Sequence, residues 1–172
     1  MGSNPTLSAT PILPTLSIIY RPTRTWGAVQ AVRPRWFTSL GIQAVPFAAL
    51  CALAWPFAST LFLALAAILI LAAGFYVLAP WFGARRSWDA AVALAAYAST
   101  PVLVSWFLVV FPPFAVVPVV ALLHCFALCY LGVQQLLGCR ESEAALFVAG
   151  AWVFSALGSM LLGALCGAAG LL

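Results

Sequence analysis

Charge is confined to three short clusters along this chain of 172 residues, and the intervals between them are long and wholly uncharged. Arg21, Arg24, Arg33 and Arg35 form the first cluster, Arg85, Arg86 and Asp89 the second, and Arg140, Glu141 and Glu143 the third. The uncharged intervals cover 36–84, 90–139 and 144–172. A helical membrane span needs about 20 apolar residues. The first two intervals each hold a helical hairpin and the last a single helix, which predicts five spans. A water-soluble fold is excluded by composition. Hydrophobic residues make up 66% and charged residues 6% of the chain, against roughly 45–50% and about 25% in soluble domains.

The expected fold class is an all-α membrane protein, a bundle of five transmembrane helices preceded by a short amphipathic interfacial helix. Residues 1–20 read as an irregular Pro/Ser/Thr-rich tail with no basic segment ahead of an apolar run, so not as a secretory signal. Residues 21–35 read as the interfacial segment, with Thr23 as its cap, Pro34 at its end, and Trp26, Val29 and Val32 opposite Arg24 and Gln30. The transmembrane domain, 36–172, has spans at about 37–55, 59–81, 90–111, 115–137 and 144–171. Turns fall at Trp55-Pro56 and Phe111-Pro112-Pro113-Phe114, where proline removes helical donors.

Sidedness follows from the arginines. With the N-terminus in the cytoplasm, all seven basic residues lie on the inner side, and the opposite turns carry no charge. The reversed arrangement would violate the positive-inside rule at every arginine. The expected location is a bacterial cytoplasmic (inner) membrane, with the C-terminus on the far side.

Candidate chemistry is sparse. Asp89, Glu141 and Glu143 all sit at span ends beside arginines, where surface ion pairs and helix N-termini account for them. Arginine flanking spans is a topological anchor rather than a nucleic-acid footprint. The five cysteines read as small buried apolar residues. The single histidine, His124, falls midway along the fourth span. It is a weak metal candidate, because Cys125 and Cys129 share a helix face that His124 does not. Its favoured reading is a packing histidine bonded to Gln43, Ser99 or Ser105. No enzyme activity, metal or cofactor is expected. In the fifth span Ala151, Ser155, Ser159, Gly163 and Gly167 recur every four residues. Such a face suits close helix approach, within the bundle or in self-association with another copy or membrane protein.

Three segments together resemble the YIP family of five-span proteins (named for interaction with Ypt/Rab GTPases) in its short bacterial form. They are Arg21-Pro22-Thr23-Arg24-Thr25-Trp26, Ala96-Tyr97-Ala98-Ser99-Thr100-Pro101, and Cys129-Tyr130-Leu131-Gly132 followed by Leu136-Leu137-Gly138. The resemblance covers roughly 21–163 and implies a cytoplasmic N-terminus and a non-enzymatic role. It marks Tyr97, Pro101, Tyr130 and Gly132 as structural positions. The N-terminal Asp-Leu-Tyr-Gly-Pro-type motif of eukaryotic members is missing, so Rab binding is not implied. The expected function is a scaffold or adaptor working through lipid and protein contacts. The surfaces involved would be Arg21, Arg24, Trp26, Arg33, Arg35, Arg85 and Arg86, together with the small-residue face of span five. An accessory subunit of a larger respiratory or energy-transducing membrane complex is the alternative. A small transporter or channel ranks last.

Overall fold

The computed structural model describes residues 22–32, 34–52, 57–108 and 116–168. The tail 1–20, Arg21, Arg33, the turns at 53–56 and 111–114 and the side chain of Arg24 lie outside the described residues.

Every regular element among the described residues is helical. Helix α1 is Pro22–Val32, with proline at its first position, where the missing N–H costs nothing. Thr23 therefore stands inside the first turn rather than capping it. Helix α2, Trp36–Ser39, runs through a π-helical turn, Leu40–Ala44, into α3, Val45–Ala52. Helix α4 is Phe57–Leu78, and its last turn tightens into a 3₁₀ segment, Ala79–Phe82. Then come α5, Trp88–Leu108, α6, Val117–Leu136, and α7, Glu141–Ala168.

Among the described residues, three helices are long and apolar enough to cross a membrane: Thr60–Phe82, Val117–Leu136 and Glu141–Ala168. The other two segments read as spans are of different character. Residues 36–52 form a run interrupted by the π turn. Helix α5 is the central element, with every residue from Ala91 to Ala98 buried. It packs against α3, α4 and α6, while α7 lies mainly along α4.

Small residues set the closest approaches. A methyl group at Gly74 of α4 would lie 3.1 Å from the Ala151 carbonyl oxygen, and one at Gly158 of α7 would lie 2.6 Å from Ile70 Cγ2. In lipid, such close packing takes the place of hydrophobic driving force. A buried polar pair also joins helices: Gln43 Nε2 donates to Thr100 Oγ1 at 2.8 Å, and Thr100 Oγ1 donates to the Ala96 carbonyl at 3.4 Å. The pair sits where Pro101 deprives α5 of a backbone donor. The π turn brings Gln43 to face that break.

Candidate functional site

Two halves of the bundle differ in kind. At the end bearing the charges, aromatic rings fill the interior. Phe147 meets Phe75 edge-on at 5.6 Å and stacks on Phe82 at 5.1 Å. Trp26 of α1 is fully buried and meets Tyr97 edge-on at 6.3 Å. Its ring also covers Gly132 of α6, where a Cβ would approach ring carbons to 3.0 and 3.1 Å.

This corrects the placement of Trp26. The spacing of Trp26 and Val29 does mark an apolar face, but that face packs onto α6 and α5 instead of lipid, and both residues are buried. A glycine at 132 leaves a slot that the indole fills, and burying a tryptophan removes some 150–250 Å² of surface.

The charged residues hold this end together. Arg85 donates its backbone N–H to the Leu137 carbonyl at 2.7 Å and its guanidinium to the Leu136 carbonyl at 3.2 Å. Both carbonyls end α6, where no intrahelical donor remains. Gly138, with φ 66°, turns the chain so that the Cys139 N–H returns to the Val133 carbonyl at 3.2 Å. Arg86 sits 4.4 Å above the Tyr76 ring, a cation–π contact, and Arg35 lies 5.9 Å from the Phe37 ring. Asp89 accepts a 2.8 Å hydrogen bond from the Trp36 N–H and so ties the start of α5 to the start of α2. That partner is a backbone donor 53 residues away in sequence, where an arginine neighbour was expected. A smaller cavity of about 340 Å³ lies here, bordered by Val29, Pro34, Arg85 and Asp89.

The other half contains a larger cavity of about 660 Å³ between α4, α5, α6 and α7. Its wall includes Ile68, Leu71, Leu103, Trp106, Leu122 and Trp152. The floor lies toward Leu71, beyond which Phe75 closes the bundle. Apolar walls do not hold water well.

Ser155 and Ser159 of the small-residue face line this cavity, and Ala151 faces Gly74. A methyl group added at Gly163 or Gly167 would meet nothing within 4 Å among the described residues. The four-residue repeat thus splits between bundle packing, cavity wall and open surface. Gly74 and Gly158 were missed because neither falls in that repeat. Neither has flanking residues that set it apart from the chain's other glycines.

His124 does not have the partners expected for it. Its Nε2 is buried without a hydrogen bond among the described residues. Gln43 bonds Thr100, and Ser105 Oγ donates to the Val102 carbonyl at 2.7 Å. Among the described residues no three His, Cys, Asp or Glu side chains come together as metal ligands. Tyr130 is half-buried against the core, and its carbonyl accepts from Gln134 Nε2 at 3.1 Å.

The model of the Yip1 domain family matches residues 7–163, most of the chain, and the chain belongs to that family. Tyr97, Pro101, Tyr130 and Gly132 all fall inside the match. No curated protein and no solved structure is similar enough to match. The chain is a multi-pass membrane protein with a Yip1 domain.

Proposed function

We propose that this member of the Yip1 domain family is a non-enzymatic scaffold of the bacterial cytoplasmic membrane, with five spans and a cytoplasmic N-terminus. The carrying observation is the outward apolar surface. On α6 it comprises Val119, Val120 and Leu123, the last 70% exposed. On α7 it continues through Val153, Leu157 and Met160, the last 73% exposed. A soluble monomer rarely shows contiguous apolar surface of this extent. In a bilayer it is the surface that lipids and partner helices touch.

The charged end supports the same reading. Arg85, Arg86 and Asp89 are engaged in closing the bundle, which is a structural task, and their remaining exposed surface suits anionic lipid headgroups. Residues 36–52 count as a span because they pack on α4 and α5, and residues 88–108 because α5 packs between α3, α4 and α6. Gly163 and Gly167 supply the surface on α7 for a second copy or another membrane protein.

Labelling with a membrane-impermeant maleimide tests the topology. With Cys139→Ser as background, Val116→Cys labels in intact cells, and Ser142→Cys labels only after the membrane is opened. The reverse pattern would overturn the orientation. Purification in mild detergent tests the role. Co-elution with membrane proteins that is lost in Gly163→Leu/Gly167→Leu supports the scaffold. A stoichiometric cofactor-bearing partner would replace it with an accessory-subunit role.

A further inference from the structure

The cavity of about 660 Å³ lies between four helices at the end of the bundle remote from the charges, and the scaffold reading does not use it. Helix α4 runs toward the charged end, whereas α5 and α7 run away from it. Thr60 of α4, Trp106 of α5 and Ser159 of α7 therefore all lie at the end of the cavity remote from the charges. These three carry a hydroxyl, an indole and a hydroxyl. Deeper, the wall includes Ile68, Leu71 and Leu103, with Ser99 and Trp152 at the level of Leu71. From Thr60 to Leu71 the helical rise is about 16 Å. That matches one leaflet's share of a hydrocarbon core about 30 Å thick.

We propose that this cavity is a binding site for an acyl chain of a bilayer phospholipid from the leaflet opposite the charged end. The chain enters between the helices, its tip toward Leu71 and its headgroup side at Thr60, Trp106 and Ser159. Tryptophan is the residue most at home at that depth, with an apolar body and a polar N–H near the headgroups. The 49% exposure of Trp106 places it at the mouth.

Other occupants fit less well. Water is disfavoured by the apolar walls. A hydrocarbon chain is slimmer than a helix and follows an irregular wall. The phosphate-bearing headgroup needs no arginine, because it stays in the interface.

This inference rests on the membrane reading above. The full chain is reconstituted in phosphatidylethanolamine–phosphatidylglycerol vesicles containing a phosphatidylethanolamine with a diazirine near the acyl terminus. After photolysis, cross-links are mapped by mass spectrometry. The expected result is enrichment at Leu71 and Leu103 over the outward residues Leu123 and Leu161. In Ala67→Phe, which places a ring in the cavity, the cavity cross-links are lost while those on the outward face remain. Leu123→Phe, outside the cavity, retains both. Cross-links confined to Leu123 and Leu161 in the wild-type protein would overturn the proposal, whether or not Ala67→Phe folds. Enrichment that persists unchanged in a folded Ala67→Phe would overturn it as well. The orientation is judged separately by the Val116→Cys and Ser142→Cys labelling. An inverted result there with cavity cross-links intact moves the site to the other leaflet without removing it.

Discussion

Replacing Gly132 with alanine adds one methyl group where α1, α5 and α6 meet. That methyl would overlap Leu94 Cδ1 and stand 3.0 Å from the nearest Trp26 ring carbon. Both neighbours are fully buried, so neither side chain has free space to turn into. Overpacking of this kind costs about 1–3 kcal/mol. Against it stands the helical preference of alanine over glycine, about 1 kcal/mol. Burial of both neighbours puts the clash in the upper part of its range, so Gly132→Ala should lose about 1–2 kcal/mol net. The test is a double-mutant cycle with Leu94→Ala, read as unfolding in mixed detergent micelles. Leu94→Ala alone costs about 2–5 kcal/mol, but it vacates the space the new methyl needs. Trp26 then has to give by only a few tenths of an ångström. In that background Gly132→Ala should become neutral or stabilising by up to about 1 kcal/mol. The sign of one substitution reverses with the second residue. An equal effect in both backgrounds would refute the packing account of Gly132 and, with it, the seating of Trp26.

Thr100→Val keeps the shape of the side chain but removes the acceptor for Gln43 Nε2. A loss of about 0.6–1.7 kcal/mol is expected, restored by Thr100→Ser and measured in the same micelles. Burial pushes the Cys139 thiol above its ordinary value of 9.0, with the negative charge of Glu143 adding to it and a backbone hydrogen bond from Arg140 opposing. The unfolded thiol ionises first, so this contribution to stability is fully present below about pH 9 and fades as the pH rises toward the folded value. Native Cys139 should therefore alkylate more slowly than exposed Ser142→Cys at pH 8, with Glu143→Gln narrowing the gap. Equal rates in the wild-type background would refute the raised value.

Positions along the chain were easier to read than neighbours across it. Arg85 and Gly138 announce helix ends, because charge does not enter the hydrocarbon and glycine accepts the left-handed turn. Lateral contacts leave no such mark. In a soluble helix the apolar face shows which side is buried, but α4 is apolar all round, since lipid and protein interior are equally dry. Gln43 and Thr100 are 57 residues apart, and neither the π turn nor its register follows from their neighbours. Trp26 shows how such a reading goes astray. Its face was visible in the spacing, yet a bilayer and a glycine-lined slot favour the same side chain. The cavity was illegible because voids arise from what four helices fail to fill together.

The contrast between a ring-filled end and a hollow end gives the molecule an uneven compressibility. Close-packed protein interiors yield very little to pressure, so the cluster of Phe75, Phe82 and Phe147 acts as a stiff base. Squeezing would be taken up at the other end, where volume can be eliminated. Lateral tension confined to one leaflet would then change the bundle's cross-section on that side while the base kept its own. The taper of the protein, and hence the curvature it favours in the surrounding membrane, would follow the state of a single leaflet.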